Sequence, residues 1–206
     1  MSAPLLFVDI ETAPIAATDP LWLEYLRARA VPPDEAEILR ARTPLDPMLG
    51  RVVCIGVAGL TGPVEVLSGV DEDLLLGGLA DILHVQYSRL VGHNVRGFDV
   101  PFLATRARCH RMHSLARDLA AAQMIDTRDL WARVEHYGAP PVPVSRGING
   151  ASLLSICRAL GIPHPGDTIT GADVASAWES GDRQAVVDHC RADVERVRDV
   201  YRILCP

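Results

Sequence analysis

The chain has 206 residues, of which 49% are hydrophobic and 22% charged, so its composition is that of a globular domain and excludes a disordered polypeptide. The net charge is −6 and all 20 positive charges are arginine, which argues against strong non-specific binding to duplex DNA but permits an enzyme that grips a short single-stranded end. Because no apolar segment approaches the roughly 18 residues of a membrane helix and no signal peptide is recognisable, we expect a single cytoplasmic domain over residues 1–206 without a membrane partner.

Patterns in the first half of the chain predict a sheet with interspersed helices. The apolar run from Leu5 to Ile10 is typical of a buried central strand, and Thr61-Gly62-Pro63 indicates the turn of a hairpin. The predicted strands are 5–10, 51–58, 64–67 and 90–94, and the predicted helices are 20–30, 33–42, 71–85 and 100–113.

The second half of the chain is predicted to be mainly helical. A helix or strand-to-helix segment at 126–137 precedes a loop at 138–150, which we expect to form a flexible wall beside a substrate. Helices are predicted at 152–160, 172–179 and 182–204. This order predicts an α/β domain, with a mixed sheet flanked by helices.

Two acids stand at the end of the first predicted strand. Asp9 and Glu11 are two residues apart, so their side chains project to the same side of the strand. They also lie at its carboxyl end, where open α/β sheets usually bind ligands. Buried acids are costly unless they are paired or bound to metal, although a strand that leaves the core through a polar turn would explain the same pattern.

Two further acids complete a candidate site. Asp99 follows the strand predicted at 90–94, and Asp193 lies four residues after His189 in the last predicted helix, so that this pair shares one helical face. The four-residue spacing also suits an ordinary surface pair. Acids that share a pocket raise each other's pKa values, and a pair of divalent cations relieves the repulsion and can promote hydrolysis of a phosphodiester.

Taken in order, these motifs resemble the DEDD superfamily of 3′–5′ exonucleases. The motifs are Asp9-x-Glu11, Asn94-x-x-x-Phe98-Asp99, and a histidine shortly before Asp193. The likeness is strongest to proteins related to the exonuclease domain of B-family DNA polymerases, and it extends from Phe7 to Tyr201. Supporting segments are 51–56, 92–94 and 126–127. The resemblance implies a ribonuclease H-like fold and hydrolysis of nucleotides from a 3′ end.

The resemblance also implies roles for the four acids. Asp9 would bridge two Mg²⁺ or Mn²⁺ ions, Glu11 and Asp193 would hold the ion that binds the attacking water, and Asp99 would support the second ion. Hard oxygen ligands suit these cations better than zinc.

His189 departs from the superfamily pattern. The superfamily has either a tyrosine four residues before the last Asp or a histidine five residues before it, whereas this chain has a histidine at the four-residue spacing. An imidazole can accept a proton near neutral pH, so His189 is a candidate general base. A role in orienting water, or a purely structural hydrogen bond, would explain it as well.

The predicted partner is a single-stranded or 3′-ended nucleic acid, with DNA favoured over RNA. By the same resemblance, Asn94 and Phe98 would line the pocket for the terminal nucleotide and the backbone of Thr12 would contact the 3′ end. Core packing explains Phe98 equally well. Two alternatives stay open, a non-catalytic domain that binds nucleic-acid ends or a protein, and an endonuclease. The long last helix also offers a surface for a homodimer.

Overall fold

A mixed sheet forms the centre of the protein in a computed structural model that describes residues 4–86, 89–135, 151–163 and 168–206. Within those ranges the sheet has the strand order β3-β2-β1-β4-β5. Its strands are β1 (Leu5–Ala13), β2 (Arg51–Ala58), β3 (Glu65–Ser68), β4 (Arg89–Gly92) and β5 (Gln123–Asp126). β1 is central, and it pairs antiparallel with β2 and parallel with β4.

Helices cover both faces of this sheet, so the predicted mixed sheet flanked by helices is confirmed. The helices are α1 (Pro20–Ala28), α2 (Pro33–Arg40), α3 (Glu72–Gln86), α4 (Asp99–Cys109), α5 (His113–Ala121), α6 (Thr127–Glu135), α7 (Leu153–Leu160), α8 (Val174–Ser180) and α9 (Arg183–Leu204), with a short 3-10 turn at Thr43–Leu45. None of the helices in the described ranges is long and apolar enough to cross a membrane.

Alternation along β1 divides its side chains between two cores. Leu6, Val8 and Ile10 are buried in the core that also contains residues of α3, α4 and α5. Phe7 is buried in the opposite core, with residues of α7 and α9. Because successive side chains of a strand point to opposite faces, Asp9 and Glu11 lie on the α9 face of the sheet.

The register of β1 leaves its carboxyl end open on one side. β1 pairs with β4 only over Leu5–Phe7, whereas it pairs with β2 from Phe7 to Ala13. The chain leaves β4 at Gly92 and begins α4 at Asp99, whose carboxylate accepts a hydrogen bond from the backbone N–H of Ile10. The amino end of α4 therefore meets the part of β1 that β4 does not cover.

Two predictions for the middle of the chain are wrong. One helix was expected at 100–113, but α4 ends at Cys109 and α5 begins at His113. Arg111 has a φ of 60°, and the N–H groups of Arg111 and Met112 bond back to Arg108 and Ala107, which is the hydrogen-bond pattern of a Schellman helix end. Residues 123–126 were not predicted as a strand, because a four-residue edge strand carries too short a pattern. The loop predicted at 138–150 lies outside the described residues.

Candidate active site

β1 brings the first two acids together. One carboxylate oxygen of Asp9, one of Glu11 and the sulfur of Cys190 all lie within 4.8 Å of one another. Burial raises the pKa of Asp9 well above its ordinary value, and the charges of Glu11, Asp193 and Asp99 raise it further. Replacing the proton of such a carboxyl group with a metal cation is favourable, because the cation relieves the repulsion among the neighbouring acids.

α9 adds His189 and Asp193 on the face that looks toward β1. The Nε2 atom of His189 is 3.6 Å from Oε1 of Glu11 and 3.8 Å from Oδ2 of Asp193. These are ion-pair distances, longer than a direct hydrogen bond. One ligand atom from each of the three residues lies within 4.8 Å of the others, so this triad is a second group able to hold a metal ion.

A glycine on β2 allows α9 to approach this closely. Gly56 pairs with Asp9 in the sheet, and a Cβ at Gly56 would lie 2.7 Å from Cγ2 of Val194 and 3.0 Å from Sγ of Cys190. The thiol of Cys190 donates a hydrogen bond to the backbone carbonyl of Asp9, with an S–O distance of 3.7 Å. The absence of a side chain at Gly56 therefore places His189 and Asp193 within reach of the acids on β1.

Asp99 completes the set from the sheet's other side. It is the first residue of α4 and is 4% exposed. Burial raises its pKa to about 7, and the charges of Asp126 and Asp193 contribute, although its own N–H and that of Ile10 act in the opposite direction. Asp99 is not in either three-residue group, but its charge acts on Asp9.

The four acids and His189 thus come from β1, α4 and α9, which are far apart in the chain. The charges of the acids act on one another, and His189 lies within 4 Å of two of them. The oxygen atoms of Asp9, Glu11, Asp99 and Asp193 suit the hard cations Mg²⁺ and Mn²⁺, and His189 adds an imidazole nitrogen beside them. The donor set therefore fits the divalent cations that the sequence predicts.

The three residues expected to contact substrate all have structural contacts. Asn94 adopts a φ of 60°, and its side-chain oxygen accepts a hydrogen bond of 3.1 Å from Arg128. The hydroxyl of Thr12 donates to the carbonyl of Pro44 at 2.8 Å. The ring of Phe98 packs on that of Phe102, with centroids 5.4 Å apart. Their roles toward a nucleotide stay predictions.

Asp126 is a buried acid to which the sequence motifs assigned no role of its own. Its carboxylate accepts hydrogen bonds from the backbone N–H groups of Asn94, Arg96 and Arg128. It therefore fixes the turn between β4 and α4 that carries the Asn94 motif. The Asp126-Thr127 segment, where β5 ends and α6 begins, was the sequence signal for it.

His93 belongs to the same turn. Its Nδ1 is 3.1 Å from the hydroxyl of Thr127 and its Nε2 is 3.0 Å from the carbonyl of Ala151. Burial lowers its pKa. Both ring nitrogens are thus engaged in structural hydrogen bonds, as expected for a histidine that holds a turn.

A cleft of about 590 Å³ opens beside Asp193. α7, the segment 168–173 and α9 form its walls. Its polar lining combines hydroxyl groups, guanidinium groups and the carboxylate of Asp173 with the two site residues of α9, and it comprises Ser152, Arg158, Thr168, Thr170, Asp173, His189, Asp193 and Arg196. Hydroxyl and guanidinium groups are the donors that commonly bind phosphate.

Residues 42–205 match a family model described as RNase_H superfamily. The chain therefore belongs to the RNase H superfamily, which indicates a nuclease-type function. The matched segment contains Asp99, His189 and Asp193 and begins after β1.

Two individual proteins are also similar. The chain is 29% identical over 170 residues to the uncharacterized protein MJ0365 of Methanocaldococcus jannaschii, covering 79% of this chain and 90% of that protein. It superposes on the family B DNA polymerase of the hyperthermophilic archaeon Pyrobaculum calidifontis with a TM-score of 0.65 and 20% identity, over 99% of this chain and 25% of the polymerase. The predicted ribonuclease H-like fold, and its likeness to B-family polymerases, are confirmed.

Proposed function

We propose that this protein is a metal-dependent 3′–5′ exonuclease that hydrolyses nucleic acid, with DNA favoured, to nucleoside 5′-monophosphates. The observation that carries the proposal is the convergence of Asp9, Glu11, Asp99 and Asp193 from three distant elements. The charges of the other three acids all raise the pKa of Asp9. A ribonuclease H-like fold that gathers four acids in this way is suited to hydrolysis of phosphodiesters.

The four acids would hold the two Mg²⁺ or Mn²⁺ ions. When bound, such a pair supplies Lewis acidity at the scissile phosphate and activates water. Asp9 lies centrally, since the charges of Glu11, Asp99 and Asp193 all act on it. Glu11 and Asp193 would serve one ion, since their oxygens lie within 4.8 Å of each other, and Asp99 would serve the other.

His189 would act as the general base. Its Nε2 lies 3.6 Å from Oε1 of Glu11 and 3.8 Å from Oδ2 of Asp193. The nitrogen would thus be placed to accept the proton of a water that attacks beside these two acids. We expect His189→Ala to reduce kcat by about 10²–10⁴-fold while its circular dichroism spectrum stays that of the wild type. Loss of a histidine that merely supports the fold would instead lower the folded fraction and leave the kcat of the folded protein nearly unchanged.

The decisive experiment is digestion of matched DNA and RNA oligonucleotides labelled at the 5′ end, with Mg²⁺, Mn²⁺ or a chelator. We expect stepwise shortening from the 3′ end that the chelator abolishes. Asp9→Ala should lose this activity with its circular dichroism spectrum unchanged. Asp188→Ala is the matched control, because Asp188 is an exposed acid on α9 next to His189, and it should retain activity.

Three other results would contradict the proposal, and each would indicate a different alternative. Full activity of Asp9→Ala would show that the acids on β1 are not the catalytic site. Internal cuts would indicate an endonuclease. Stabilisation by Mn²⁺ without any digestion would favour a non-catalytic domain that binds nucleic-acid ends or a protein.

A further inference from the structure

Three Asp–Arg ion pairs with the same three-residue spacing follow one another along α9. The outer two pairs are exposed, and exposed pairs contribute little to stability. The middle pair differs, because the side chain of Arg196 is only 7% exposed and that of Asp193 22%. Its N–O distance is 2.5 Å, compared with 2.7 Å for Asp188–Arg191 and 3.1 Å for Asp199–Arg202.

The hydrogen bonds of this pair separate the two oxygens of Asp193. Nη1 of Arg196 donates to Oδ1, while Oδ2 is the atom that lies 3.8 Å from Nε2 of His189. One oxygen is therefore held by the guanidinium and the other is directed toward the Glu11–His189–Asp193 group. Rotation of the carboxylate about its Cβ–Cγ bond would break a short charge-assisted hydrogen bond, which is among the stronger kinds in proteins.

Burial of a guanidinium is costly unless a carboxylate compensates it. Here the compensating acid is itself a candidate metal ligand. The guanidinium that compensates this acid therefore also fixes the orientation of a candidate metal ligand.

We propose that Arg196 is a positioning residue that orients Asp193 for cation binding, acting through Asp193 rather than on the substrate. The proposal rests on the function proposed above, because it concerns the same cations. The outer ion pairs of α9 have the same sequence spacing but are exposed on both partners, so they have no such role.

The test measures Mn²⁺ binding by calorimetry on the whole chain without nucleic acid. We expect Arg196→Met to raise the Kd for Mn²⁺ by about 10–100-fold, the usual effect of removing a residue that orients a metal ligand. The Kd of Arg196→Lys for Mn²⁺ should lie between those of the wild type and of Arg196→Met, because lysine keeps the positive charge but lacks the planar guanidinium. Arg191→Met is the matched control, and its Kd should equal that of the wild type.

Kinetics separate positioning from substrate contact. For a positioning residue, saturating Mn²⁺ should restore most of the kcat of Arg196→Met and leave the KM for the oligonucleotide unchanged. An unchanged Kd for Mn²⁺, or a raised KM with normal Mn²⁺ binding, would overturn the inference. Should Arg196→Met fail to fold, Arg196→Lys decides by the same Kd comparison. If the wild type itself binds no Mn²⁺, the proposed function fails instead.

Discussion

Neutralising Asp99 tests the idea that the site is electrostatically strained without its cations. The pKa of this buried acid is raised from 3.8 to about 7. A group whose pKa is higher in the folded state binds protons more tightly there, so its ionisation destabilises the fold as pH rises from about 4 to about 7. Each pKa unit corresponds to about 1.4 kcal/mol, so the raised pKa of Asp99 destabilises the metal-free protein by on the order of 4 kcal/mol above pH 7.

Asp99→Asn removes this charge and keeps an oxygen that can accept the hydrogen bond from Ile10. We therefore expect the metal-free variant to be about as stable as the wild type near pH 4, and to exceed it by on the order of 4 kcal/mol above pH 7. Urea denaturation in a chelator at several pH values measures the difference. The variant should at the same time lose nuclease activity.

Asp81→Asn serves as the control, because Asp81 is an exposed acid on α3, away from the site. Its stability difference from the wild type should change little with pH. A difference between Asp99→Asn and the wild type that is likewise flat from pH 4 to pH 8 would refute the reasoning, because it would mean that Asp99 ionises as easily in the folded chain as in the unfolded one.

Three further predictions concern the packing of α9 on the sheet, the buried Glu72–Arg106 ion pair and the pH dependence of stabilisation by Mn²⁺. Gly56→Ala should destabilise the protein by about 1–3 kcal/mol and weaken Mn²⁺ binding, because its Cβ meets Val194 at 2.7 Å. Gly77→Ala in α3, where a Cβ meets nothing within 4 Å, should instead stabilise it by about 0.5–1 kcal/mol, and denaturation curves of the two variants test the contrast. Glu72→Gln should cost about 3–5 kcal/mol, because it leaves the buried guanidinium of Arg106 uncompensated, yet the folded fraction should keep its nuclease activity, since α3 packs on the face of the sheet opposite α9. Finally, the thermal stabilisation by Mn²⁺ should grow as pH rises through about 7, because the cation competes with protons at Asp99, and stabilisation that is equal at pH 5.5 and pH 8 would contradict this.

Local pattern in the sequence predicts which of the candidate site residues share a face of a strand or helix. The apolar run that ends in Asp9 and Glu11 predicts both a central strand and the shared direction of two carboxylates, because side chains alternate along a strand. The spacing of His189 and Asp193 predicts a common helical face in the same way. These inferences need only the periodicity of one element, and the structure places all four residues as that periodicity requires.

Contacts between elements were decided by the tertiary structure alone. The sequence spacing of Asp193–Arg196 is identical to that of Asp188–Arg191, yet only Arg196 is buried beside the site, because burial depends on which face of α9 meets the sheet. In the same way, nothing in the sequence distinguishes Gly56 from any other glycine in a strand. Only the packing of α9 shows that a side chain at this position would keep the helix away from β1. Sequence periodicity states which residues share a face, whereas distances across the core depend on how the faces pack.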